Sequence, residues 1–148
     1  MTEHMSKYFT RQEFENSQWA IRRGKDNVMD EDTVKRARML CRHVLDQLRE
    51  HFNSPVIVTS GFRCEQVNTA VGGSPSSQHK LGEAADIQVI GHSAFEVADW
   101  LVEESDLDFD QVIYEFDSWV HVSYTRRYAN RNQALTINKD GIHKGLIC

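Results

Sequence analysis

The chain has 148 residues, 40% of them hydrophobic and 26% charged, which is the length and balance of one globular domain spanning 1–148. Only 2 Pro and 8 Gly exclude a collagen-like or low-complexity chain, and 3 Trp, 4 Tyr and 7 Phe supply core area that a disordered chain lacks. A formal net charge of −5, with the basic residues scattered, argues against a nucleic-acid partner.

The first residues, MTEHMSKYFTRQEF, hold no apolar stretch or small-residue cleavage site, so a signal peptide is not expected. No later run approaches the ~20 apolar residues needed to cross a bilayer. Residues 9–20 carry a helix start: Thr10 and Glu13 form a T-x-x-E capping box, with Phe9 and Phe14 placed for a hydrophobic staple. RRGKDN reads as a loop. A long helix follows from about Asp30 to His51, with Val34, Ala37, Cys41, Val44, Leu45 and Leu48 on one apolar stripe. His43 and His51 fall off that stripe and are expected in solvent, like His4, His92 and His143.

Pro55 opens a β-branched run, Val56 to Thr59, that reads as a strand ending at Ser60-Gly61-Phe62-Arg63. A short helix over 64–71 stops at Gly72-Gly73. SPSSQHKLG is loop by composition, and EAADIQV returns to a strand. Ser93 and Glu96 make a second capping box for a helix through about Glu104. QVIYEF and WVHVSY are strands, and ALTINKDGIH is expected to form a last hairpin around Lys139-Asp140-Gly141. The expected class is α+β, a small antiparallel sheet with flanking helices. Cys41, Cys64 and Cys148 form no CxxC pair, which predicts one core thiol and two incidental ones.

Two segments carry candidate chemistry. In SSQHKLGEAADIQV, His79 precedes Asp86 by seven residues, and in WVHVSY, His121 sits in mid-strand. Histidine and aspartate are zinc ligand types, and three protein ligands leave a fourth position for water, whose ionisation zinc brings towards neutral pH. Asp86 is the most telling. It interrupts an apolar strand, where an unpaired carboxylate would cost several kcal/mol, so it needs a cation.

SGFR, VN-x-AVGGS, SQH-x-x-G-x-AAD and WVH together resemble the zinc D-Ala-D-Ala carboxypeptidases and the related phage endolysin peptidases. The small phage and prophage branch is the nearest in pattern, and the hedgehog signalling domain is similar in its metal site. The resemblance implies that fold and one Zn²⁺ held by His79, Asp86 and His121. It places the family's arginine on Arg63, suited to a substrate carboxylate or oxyanion, with a structural salt bridge as the equal alternative. Ser77 and Gln78 either orient the ligand loop or bind substrate.

Well-studied members put an acid three positions before the last histidine ligand, where this chain has Ser118. IYEFDSWVH instead resembles the phage type, with Glu115 as general base and Asp117 as the fallback. A two-residue turn at Asp117-Ser118 would set Tyr114 opposite His121. A three-residue connection, Asp117 to Trp119, would set Glu115 there, and Asp-Ser is poor chemistry for the shorter turn.

The expected activity is zinc-dependent hydrolysis of a peptide bond in peptidoglycan stem peptides or cross-links, by a carboxypeptidase or endopeptidase. The protein would be a monomer without membrane insertion, made in the bacterial cytoplasm and acting on the wall after holin-dependent release or as a virion component. The alternative is a zinc-stabilised binding module or virion structural component; Glu115 and Arg63 favour the enzyme.

Overall fold

A computed structural model describes residues 3–147, so Cys148 lies outside the described residues. The capping box at Thr10 forms as expected: its hydroxyl accepts from the Glu13 N–H at 3.2 Å and its N–H donates to the Glu13 carboxylate at 3.0 Å. The helix it opens, α1 (Arg11–Glu15), ends at Asn16, and Ser17 caps a second turn, α2 (Gln18–Arg22). The predicted stretch is therefore two short helices. Phe9 and Phe14 are both buried in the core.

Asp30 caps α3 (Glu31–Leu40), accepting from the Thr33 N–H at 2.8 Å. That helix continues through a π-turn, Cys41–Leu45, into α4 (Asp46–Phe52), where Asn53 adopts a left-handed conformation and ends it. The predicted stripe is buried throughout, Cys41 included. His43 and His51 are exposed, yet each stacks on a neighbour, Tyr124 and Trp100 respectively. His92 is only partly exposed, pairing with Glu96 at 3.0 Å and packing on Phe52.

The strands are β1 (Val56–Ser60), β2 (Ala84–Val89), β3 (Gln111–Glu115), β4 (Trp119–Ser123), β5 (Gln133–Asn138) and β6 (Gly141–Lys144). Between β1 and β2 lie α5 (Glu65–Ala70) and a 3-10 turn, Gln78–Leu81; α6 (Ala94–Asp99) runs into a π-turn, Trp100–Glu104, before β3. The six strands form one sheet in the order β1-β2-β4-β3-β5-β6. The α+β class is as expected, with one difference: β3 and β5 pair in parallel, so the sheet is mixed. Ser123 and Gln133 are joined by a long arm that carries the chain from β4 past β3 to the far side of β3, which a tight antiparallel turn could not do.

Alternation along the strands sorts the two faces. Ala85, Ile87, Val89, Val112, Tyr114, Val120 and Val122 join the helices in the core. Asp86, Ile113, Glu115 and His121 point to the other face and line a cleft of ≈ 960 Å³. A register shift in β1 between Val58 and Ser60 brings Ser60 opposite Asp86.

The β3–β4 hairpin differs in register from both sequence expectations. Its loop is Phe116-Asp117-Ser118, Glu115 pairs with Trp119, and Ile113 stands opposite His121. Phe116 and Asp117 take left-handed φ values of 51° and 56°, and the Phe116 N–H is drawn to the Ile137 carbonyl of β5 at 2.9 Å. The loop still has an odd number of residues, so Glu115 keeps the face of His121, diagonally placed.

Candidate active site

His79 is carried by the 3-10 turn. The Ser77 hydroxyl accepts from the His79 N–H at 3.2 Å, opening the turn, and Gly82 closes it at φ +76°. A Cβ on Gly82 would stand 2.8 Å from the Thr33 carbonyl oxygen, so close packing on α3 requires glycine there as well. The His79 ring is buried and its Nδ1 lies 2.7 Å from the Gly61 carbonyl. That carbonyl can only accept, so it holds the proton on Nδ1 and turns the Nε2 lone pair inward. Burial lowers the His79 pKa, favouring the neutral ring that binds metals.

Asp86 of β2 and His121 of β4 are direct cross-strand partners. Asp86 Oδ1 lies 3.0 Å from His121 Nδ1 and 3.3 Å from His79 Nε2, and one potential ligand atom from each of the three residues lies within 4.8 Å of the others. A tetrahedral zinc with arms of about 2 Å spaces its ligand atoms about 3.3 Å apart, so the donor set and its spacing fit that ion. The Asp86 carboxyl is held well below the usual carboxylate range: burial opposes ionisation, and the His121 and His79 rings outweigh it. The cation that the sequence demanded for Asp86 is also supplied in part by Arg63, whose Nη2 lies 3.5 Å from Oδ2.

Arg63 follows β1 and is braced on every nitrogen: Nε donates to Ser60 Oγ at 3.2 Å, Nη1 approaches Asn68 Oδ1 at 3.5 Å, and Nη2 faces Asp86. Asn68 itself is buried and donates to the Ser74 carbonyl, tying α5 to the loop before His79. Ser77 and Gln78 line the cleft, as does Arg63; the Gln78 amide also donates to the buried carboxylate of Glu83 at 3.3 Å.

Glu115 is partly buried in the same cleft. Its pKa is raised, first by burial and then by the Asp86 charge. The Trp119 indole N–H donates to its carboxylate. Asp117 is exposed in the hairpin loop and does not line this cleft. The sequence motifs thus bring His79, Asp86, His121, Arg63, Ser77, Gln78 and Glu115 together and leave Asp117 outside.

Sequence reasoning missed Gly61, Asn68, Glu83 and Trp119. Trp119 was within reach, since it stands two residues before His121 and shares its face by strand alternation. Glu83 was signalled by an acid in an otherwise small and apolar run, as Asp86 was.

Three imidazole and carboxylate donors converging at the floor of an open cleft, with a further carboxyl on the same sheet face, define a candidate metallohydrolase centre. A family model for Peptidase M15 matches residues 7–123. The chain belongs to this family, whose members are zinc-dependent metallopeptidases. A search of curated proteins finds no match. No helix among the described residues is long and apolar enough to cross a membrane.

Proposed function

We propose that the protein hydrolyses a peptide bond in bacterial peptidoglycan, within stem peptides or their cross-links, with one zinc held by His79, Asp86 and His121. The observation that supports this reading most is the convergence of those three donors beside the Glu115 carboxyl. Zinc in that position supplies Lewis-acid polarisation of a carbonyl and eases the ionisation of water.

The protein groups carry the remaining work. Asp86 stays ionised and gives the centre a negative charge, while the Gly61 carbonyl fixes the His79 ring. Glu115, with its raised pKa, accepts the proton of the attacking water and returns it to the leaving amine. Trp119 restrains the Glu115 carboxylate by its indole hydrogen bond. Arg63 braces Asp86 and faces the cleft, where its charge steadies the oxygen of the scissile carbonyl.

A phage or prophage endolysin-like role, with release by a holin or carriage in a virion, agrees with the motif pattern. The test is to incubate the purified zinc-loaded protein with peptidoglycan and read new amine termini and new reducing sugar ends. Zinc-dependent amine termini are expected. Reducing ends without amines would overturn the peptidase reading, and neither product would point to a zinc-stabilised binding module.

A further inference from the structure

One wall of the cleft is made by residues that follow the family-matched stretch, in the arm that joins β4 to β5. Arg127, Tyr128 and Arg131 line it. Two buried acids hold the arginines. Glu83, 1% exposed, accepts from Arg127 Nε at 2.9 Å and Nη2 at 2.7 Å. Asp110, fully buried, accepts from Arg131 Nε at 3.0 Å and Nη2 at 2.8 Å. Both guanidinium groups lie over the Tyr128 ring, their carbons 5.3 Å (Arg127) and 5.8 Å (Arg131) from its centre, and its hydroxyl donates to Asp110.

Both ion pairs are made side-on through Nε and Nη2. Each arginine therefore keeps its Nη1 edge without a hydrogen-bond partner among the described residues, and their side chains are 46% and 49% exposed. With the acid buried and the guanidinium half exposed, each pair is a dipole whose positive end faces the cleft. The bidentate grip also fixes the guanidinium, so little side-chain entropy remains to be lost on binding. Of the other cations near the centre, Lys80 is engaged by Glu65 and the Pro75 carbonyl, and Arg63 is braced on Ser60, Asn68 and Asp86 beside the three donors, where its proposed task is the scissile carbonyl oxygen.

We infer that Arg127 and Arg131 form a carboxylate-reading subsite, so that the preferred substrate is a peptide carrying a free carboxylate on the side of the scissile bond that faces this arm. The inference rests on the peptidase reading for the nature of its ligand, and it is tested by binding, independently of turnover. The probe is the tetrapeptide L-Ala-D-Glu-L-Lys-D-Ala, with its carboxylates free or converted to carboxamides. It is titrated calorimetrically into zinc-loaded Glu115→Gln protein.

The free-acid peptide is expected to bind about tenfold or more tightly than the amide, the size of a charge-assisted bidentate contact. In the Arg127→Lys/Arg131→Lys double variant, lysine still neutralises each buried acid but offers no second edge, and the preference should fall below about threefold. Should that variant fail to fold, backbone amide shifts of residues 127–131 in the Glu115→Gln protein serve instead, moving with the acid peptide and not with the amide. Equal affinities, no binding of either peptide, unmoved shifts, a preference kept by the folded double variant, or one abolished by Arg63→Lys alone would each overturn the subsite. Discrimination without any hydrolysis by the wild type would support the subsite and overturn the peptidase reading.

Discussion

Trp119 and Glu115 face each other as cross-strand partners beside the β3–β4 loop, with the indole N–H donating to the carboxylate. If Glu115 acts as the proposed general base, held by a single donor and partly shielded from water, turnover should be sensitive to its carboxyl and less so to its partner. Glu115→Gln is expected to keep its zinc and its melting temperature and to lose about 10²–10⁴ in turnover of peptidoglycan. Trp119→Phe should lose less, and Asp117→Asn, outside the cleft, very little. A larger loss in Asp117→Asn than in Glu115→Gln would reassign the base.

Metal content gives a second expectation. His79→Ala and Asp86→Ala each remove one of three donors, so both should show much-reduced zinc by elemental analysis and much-reduced turnover. Chelation should lower the melting temperature of the wild type, because zinc binds the folded site far better than the unfolded chain, and should leave that of Asp86→Ala nearly unmoved. Full zinc in either variant would show that the ion sits elsewhere.

Gly82 offers a stability measurement. A Cβ there meets the Thr33 backbone at 2.8 Å on top of a positive φ, whereas Gly91 has a positive φ and nothing within 4 Å. Gly82→Ala should cost roughly 2–4 kcal/mol in urea unfolding and Gly91→Ala roughly 1–2 kcal/mol, the left-handed term alone. Gly82→Ala should also weaken zinc binding, since the turn that carries His79 must shift; equal costs at the two sites would refute the packing account.

Acid sensitivity follows from Asp110. Burial opposes its ionised form, but the Arg131 side chain and backbone N–H, with the Tyr128 hydroxyl, outweigh burial and hold its pKa at about 2 against an ordinary 3.8. A folded pKa below the unfolded one means stability that is complete above about pH 4 and lost as pH falls towards 2, amounting to about 2 kcal/mol. Asp110→Asn should therefore be less stable than wild type at pH 6, and the gap should narrow between pH 4 and pH 2 in guanidinium melts. A gap independent of pH would remove Asp110 from the acid limb.

What was legible in the sequence was what neighbours along the chain decide. The Thr10 and Ser93 caps, the stripe from Val34 to Leu48 and the β-branched run after Pro55 each rest on residues a few positions apart, and the caps, the stripe and the strand form as expected. The candidate ligand set was visible because His79, Asp86 and His121 fall on the motifs of the family the sequence resembles, and Asp86 is also chemically out of place in its strand. The β3–β4 register was not, because it depends on β5 taking the Phe116 N–H, a contact with a strand about twenty residues on. Nor was the grip on the arginines, since Glu83 and Asp110 meet Arg127 and Arg131 across 44 and 21 residues with no periodicity to announce it.

The parallel pairing of β3 with β5 has a consequence for association. β3 lies inside the sheet only because β5 pairs with its outer side; without β5 the backbone from Gln111 to Glu115 would present a row of unpaired donors and acceptors, an open template for another chain. A chain cut after Ser123 would retain His79, Asp86 and His121 in its sequence and yet be prone to self-association through that edge. Sedimentation of such a truncation should show stronger concentration-dependent association than the full chain, in which β5 occupies that edge of β3.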